Sequence, residues 1–173
     1  MNKVTPSALR AAVYGANDGI ITTFAVVAGV SGAGLALNVI LIMGVANLMA
    51  DGLSMAASDY LGETSEQFMI RSRDKRRKFP PAWHTSIVTF VAFVIAGTLP
   101  LIPYILGLLF GVEITHYLLF SSLSTGLALF AVGSARSLFT HRTWWVSGLQ
   151  MFCIGAFAAV IAFTLGALID TMI

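Results

Sequence analysis

Two thioethers, a carboxamide and two carboxylates recur at a single spacing in this chain: Met43, Asn47, Asp51, Met55 and Asp59, each four residues after the last. On a helix such positions stack into one slowly drifting stripe. Carboxylate and carboxamide oxygens suit hard divalent cations, and a Met sulfur adds softness that favours Fe2+ over Mg2+ or Ca2+. The bland alternative is a polar contact between helices, with Asn47 hydrogen-bonding a neighbour and the methionines, Met43 above all, as core filler. Glu63 and Glu66 continue the Asp59 face, and Asp18 lies in a separate apolar stretch upstream.

The elements that must position these groups are membrane helices. In 173 residues the hydrophobic fraction is 57% and the charged fraction 10%, and mean hydropathy is +0.86, outside the range of ordinary soluble domains. Apolar stretches at about 11–34, 37–61, 84–110, 116–136 and 145–170 each reach the length of roughly 20 residues that crosses the hydrocarbon of a bilayer. The expectation is one all-α polytopic domain of five transmembrane helices with a short basic loop at 62–83. Lys3, Arg10, Arg71, Arg73, Lys75, Arg76, Arg77, Lys78, Arg136 and Arg142 all precede the first span or fall between spans two and three or four and five, whereas the loops near Asn38 and Glu113 carry none. The positive-inside rule then places the N-terminus in the cytoplasm and the C-terminus outside. No cleavable signal peptide is apparent. The basic run Arg71–Lys78 reads as solvated or facing lipid headgroups, and nucleic acid is not an expected partner.

Asp51 sits near the middle of the second span and Asp18 near the middle of the first, if Asn17-Asp18-Gly19 is helical. Were that tripeptide a turn or a cap, only about 15 residues would remain before Ser31-Gly32-Ala33-Gly34, or roughly 22 Å of helix, too short to span comfortably. A carboxylate at that depth costs on the order of 2.5–3.5 kcal/mol. No Lys or Arg in any span reaches it, so two such groups must be protonated, metal-bound or hydrated. Gly15, Gly19, Gly29 and Gly32 let α-helices approach closely, and a contact between the first spans of two copies would carry Asp18 into a shared cavity. Two prolines, Pro100 and Pro103, should break the third span near its outer end and free carbonyls. Ser121, Ser122, Ser124, Thr125 and Gly126 form a close-packing patch on the fourth. His84, His116 and His141 sit at span ends with no His-x-x-x-His pair and read as interfacial, as do Trp83, Trp144 and Trp145. The single Cys153 has no intrachain partner.

NDGIITTFAVVAGVSGA at 17–33, GVANLMADGLSMAASDYLGETSE at 44–66, PLIPY at 100–104 and the closing pattern VGSARS…WWVSGLQM…GAFAAVIAF resemble the vacuolar iron transporter family, nodulin-like members included, across nearly the whole chain. The resemblance implies a five-helix protomer in a homodimer. It also implies a metal path lined by first and second spans, carrying cytosolic Fe2+, and in some members Mn2+, out of the cytosol against protons. Carried over, the metal residues are Asp18, Asn47, Asp51 and Met55, with Asp59 where the family often has Glu. The long Glu-rich cytoplasmic domain of eukaryotic members is replaced by about 20 residues, and Glu63 and Glu66 stand as a remnant of that acidic entry. The metal is cargo, the proton is the coupling ion, and no cofactor is expected.

With two strong ligands per chain, one protomer is under-equipped to hold a dehydrated cation, and a two-fold axis doubling Asp18, Asp51 and Met55 would complete the set. The competing readings are an exporter preferring Mn2+ or accepting many divalent ions, and a non-transporting scaffold whose stripe only joins helices. An aspartyl-protease reading lacks a Gly-x-Gly-Asp motif, so the chain is not read as an enzyme. The short loop points to a prokaryotic inner membrane.

Overall fold

The computed structural model describes residues 6–74, 76, 79–110, 116–140 and 142–173, with Pro6 and Phe139 described by their backbone. Lys3, Lys75, Arg77, Lys78, Glu113 and His141 lie outside the described residues. The elements are α1 (Pro6–Gly32), α2 (Leu37–Arg73), α3 (Trp83–Gly97), a 3-10 turn (Leu99–Leu101), α4 (Ile102–Phe110), α5 (Tyr117–Thr140) and α6 (Trp144–Asp170). Among the described residues, five helical segments are long and apolar enough to cross a membrane, α3, the turn and α4 together forming the third. Successive spans run in opposite directions. Arg10, Arg71, Arg73, Arg76, Arg136 and Arg142 therefore gather at the end of the bundle where α1 begins.

Helix α1 is the centre of the bundle, and α2, α3, α5 and α6 all pack on it. It is unbroken through Asn17-Asp18-Gly19, so the turn reading of that tripeptide is excluded. Thr22 Oγ1 donates to the Asp18 carbonyl at 2.9 Å, a bond that exists only on a helix. The helix closes on Gly34, at φ +62°, with Leu35 N–H donating to the Val30 carbonyl at 3.2 Å, a left-handed C-cap that glycine adopts without strain. Phe24, Val27 and Val30 of α1 pack with Ile40 and Leu41 of α2, Leu101 of the turn and Tyr104 of α4. A second cluster joins Ile20, Ala96 and Leu129.

The glycines of α1 are used inside the protomer. A Cβ on Gly15 would strike the Thr89 carbonyl and one on Gly19 the Phe93 carbonyl, both on α3, while one on Gly32 would strike the Phe163 carbonyl on α6. These three glycines therefore pack α1 against α3 and α6 within the protomer.

One difference from the sequence expectation concerns the second span. Helix α2 does not stop near Leu61 but continues through Arg73. Residues 62–73 are rich in Glu, Gln, Met and Arg and hold no proline, so propensity sustains the helix once the apolar part has nucleated it. The third span breaks where its prolines require, and the break is bridged: Ser121 Oγ, fully buried on α5, donates to the Pro100 carbonyl at 2.7 Å. Ser121→Ala leaves that carbonyl without its donor, and about 1 kcal/mol of stability should be lost, read as a thermal shift of the purified protein.

Candidate functional site

The stripe on α2 owes its setting to the residues beside it. Ile40, Leu41, Gly44, Leu48 and Gly52 form the buried face of the helix, with Gly44 against Leu101, Leu48 against Gly97, and Gly52 against Phe90 and Phe93. Rotated from that face, Asn47, Asp51, Met55 and Asp59 are all half-buried, on the flank between core and surface. Met43 is 48% exposed, so the expectation that it fills the core is corrected. Beyond the stripe, Ala46, Ala50, Leu53, Ala57, Leu61 and Phe68 are all exposed. They recur every three or four residues, with a gap of seven before the last. Ala46, Ala50, Ser54 and Ser58 give this surface small side chains at every fourth position, the spacing that permits close helix contact.

The seven candidate residues divide into two groups at different depths. Near mid-bundle, Asp18 of α1 and Asp51 of α2 lie within electrostatic reach of one another, at the level where Gly19, Leu48 and Gly97 meet. One turn from Asp51, Asn47 Nδ2 is buried without a hydrogen-bond partner, and beside Asp18 the Asn17 Oδ1 is buried in the same condition. An acceptor oxygen with no donor is a vacant lone pair, which a cation can use. Asn17 is absent from the sequence-derived set; its position next to an intramembrane aspartate was the available signal, masked by its membership of a turn-like tripeptide. Among the described residues no three His, Cys, Asp or Glu side chains come together as a metal cluster. A single protomer therefore brings two carboxylates and the carboxamides of Asn17 and Asn47 to this depth.

The second group lies toward the arginine-bearing end. Met55, Asp59, Glu63 and Glu66 of α2 line a hollow of about 780 Å³, closed on the other sides by Ser7, Arg10, Ala11 and Tyr14 of α1 and Thr85 and Thr89 of α3. The extension of α2 past Leu61 builds this hollow, since Glu63 and Glu66 face α1 only while the helix holds its phase. Asp59 Oδ2 accepts a hydrogen bond from Thr89 Oγ1 at 3.2 Å. Glu63 Oε1 accepts one from Gln67 Nε2 at 3.2 Å, and the same amide donates to the Pro80 carbonyl at 3.0 Å, tying the end of the loop to the helix. Arg10 entered the sequence reading only as a topology marker, and Tyr14 and Thr89 did not enter it. Their place here depends on three helices meeting, which no local spacing encodes. His84 and His116 are exposed at helix starts, and His84 shares a smaller hollow with Glu63, Ser7 and Thr85 at the edge of the second group.

Comparison with known proteins identifies the family. The sequence profile of the VIT family matches residues 9–80 and 67–167, nearly the whole chain. The chain is 26% identical over 225 aligned positions to the vacuolar iron transporter of Plasmodium berghei (strain Anka), covering 94% of this chain and 82% of that protein. It is 26% identical over 212 positions to vacuolar iron transporter 1 of Eucalyptus grandis, covering 90% and 84%. Over a shorter stretch of 71 residues it is 37% identical to the vacuolar iron transporter of Toxoplasma gondii (strain ATCC 50861 / VEG), covering 41% and 24%. The two matched segments of the profile overlap at residues 67–80, where α2 ends and the loop to α3 begins. A multi-pass membrane protein with a bundle of five spans and carboxylates within it, this chain belongs to the VIT family.

Proposed function

We propose that the chain carries Fe2+, and also Mn2+, out of the cytosol in exchange for protons, along a path shared by two copies. The observation that carries this reading is the Asp18–Asp51 pair: two carboxylates at bilayer depth, within reach of each other, with no third His, Cys, Asp or Glu grouped with them among the described residues. Such a pair is costly unless it works. A divalent ion or protons can each neutralise it, and exchange between the two is the coupling. The relatives, named as iron transporters, support the cargo.

The second copy completes the coordination shell. Packing α2 against its symmetry mate through Ala46, Ala50 and Ser54 would bring the flanking stripe of each copy to the interface, doubling Asp51, Asn47 and Met55. The arginine-bearing end is then cytosolic by the positive-inside rule, and the hollow of Asp59, Glu63 and Glu66 is the entry. The absence of a long acidic domain between spans two and three fits a prokaryotic inner membrane.

The test is uptake of Fe2+, Mn2+ and Mg2+ into proteoliposomes under an imposed pH gradient. Gradient-driven uptake of the first two but not Mg2+, with matching proton movement, is the expected result; no uptake of any cation would favour a scaffold. Disulfide formation between copies of Ala50→Cys, in a Cys153→Ala background, reads the α2 contact, and its failure beside efficient crosslinking elsewhere would move the path. Substituting Glu63 and Glu66 together by Gln should raise the apparent KM for metal several-fold, about 1 kcal/mol in screened surroundings, with little change in maximal rate.

A further inference from the structure

Arg10 is a cation in the lining of a cation-collecting hollow, and the positive-inside rule accounts for its end of the bundle but not for its place among carboxylates. Among the described residues the lining holds three carboxylates, Asp59, Glu63 and Glu66, and one guanidinium. The formal charge is therefore three negative against one positive, or −2, equal and opposite to one divalent ion. Arg10 is also kept from simply pairing with its neighbours. Its guanidinium carbon lies 5.4 Å from the centroid of the Tyr14 ring, one turn along α1, and this is the only contact its charge makes among the described residues. Asp59 and Glu63 take their hydrogen bonds from the neutral donors Thr89 and Gln67 instead. The aromatic face holds the positive charge in the hollow, while the carboxylate oxygens keep lone pairs free for an incoming ion.

We propose that Arg10, held by Tyr14, is the charge-setting residue of the vestibule. It offsets one of three carboxylates, so that a divalent ion neutralises the hollow and leaves again, and it disfavours trivalent ions. This rests on the reading of the hollow as the metal entry. Without Arg10 the lining carries −3, and the gain in binding energy from one added negative charge scales with the charge of the bound ion. If Arg10→Gln tightens Mn2+ binding by about fivefold, the order expected for a screened charge, the logarithmic gain for La3+ is half as large again, or about elevenfold. Tyr14→Ala has the opposite sign: the released guanidinium falls onto the carboxylates and competes with metal, weakening Mn2+ binding by about threefold. Arg10→Lys keeps the charge and should bring both affinities back toward the native values.

The experiment is equilibrium binding to the purified full-length protein in detergent. Loss of the free Mn2+ electron paramagnetic resonance signal reads Mn2+, and displacement of that bound Mn2+ reads La3+. The variants are Arg10→Gln, Arg10→Lys and Tyr14→Ala, with Glu63→Gln/Glu66→Gln as the control for the hollow itself. Tighter binding in Arg10→Gln with the larger gain for La3+, and weaker binding in Tyr14→Ala, would support the proposal. Equal gains for the two ions, or no gain, in a protein whose Glu63→Gln/Glu66→Gln variant does lose Mn2+ would overturn it. If that control binds Mn2+ as the native protein does, the hollow is not a metal entry and the proposal falls with that reading.

Discussion

Asp51→Asn is expected to lower pH-driven Fe2+ and Mn2+ uptake by roughly 10²- to 10³-fold, about 3–4 kcal/mol, through loss of one of the two charges that would balance a divalent ion. The substitution is nearly isosteric and keeps an oxygen at the same place, so α2 should still pack its face of Gly44, Leu48 and Gly52 unchanged. What disappears is a charge that a divalent ion needs and a group that a proton can occupy. Both halves of the exchange fail together. The measurement is initial uptake into proteoliposomes at matched protein incorporation, alongside the thermal stability of the variant in detergent. Loss of flux with stability preserved identifies a transport residue. Flux within twofold of the native protein would show that Asp51 only joins helices and that the path avoids the stripe. The prediction is sharpened by Asn47, whose Nδ2 is already buried without a partner: a second carboxamide one turn away adds another donor that a cation cannot use.

Gly19→Leu is expected to cost about 3 kcal/mol or more, which for a chain of this size is roughly a 6–12 °C fall in melting temperature. The first added carbon already meets the backbone carbonyl of Phe93, with the α-carbon of the same residue 3.0 Å away. Backbone cannot rotate aside as a side chain can, so α1 and α3 must separate. That separation opens the contacts of Ile20 and Ala96 and unseats Asp18, one residue away. The check is a pair of measurements: size-exclusion profile with thermal unfolding, and uptake. A companion variant, Gly62→Leu, meets open space where its Cβ would lie and should melt within about 1 °C of the native protein, as exposed sites outside such contacts do. Equal stability of the Gly19 and Gly62 variants would mean that the α1–α3 contact does not hold the bundle.

Much of this fold was legible because a bilayer imposes one length and one polarity on every span. The stripe on α2 was legible for a related reason: a carboxylate among leucines and alanines stands out, and the spacing of four gives it a face. The break in the third span followed from two prolines. Other features depended on what comes alongside. Nothing local in Gly15 and Gly19 distinguishes a partner within the chain from one in another copy, and α3 proved to be the partner. The continuation of α2 was legible in part, since Glu63 and Glu66 keep the face of Asp59, but polarity marks where the membrane ends and says nothing of how far past it a helix runs. Arg10 and Thr89 join the vestibule only through tertiary packing, from sequence positions about 50 and 30 residues from Asp59. Asn17 was in plain view, but Asn-Asp-Gly is the composition of a turn, and only the surrounding helix overrides it.

The uninterrupted length of α2 has a mechanical consequence. Its 37 residues make a rod of about 55 Å against roughly 30 Å of hydrocarbon, and no proline gives it a joint. A rod without a joint has one tilt. Glu63 and Glu66 ride on its far arm and Asp51 near the bilayer centre, so any rocking that widens the mouth also displaces the aspartate, in a ratio set by their distances from the pivot. On the proposed path, loading at one level and release at the other would thus be geared together, and a clamp applied anywhere along α2 should arrest both.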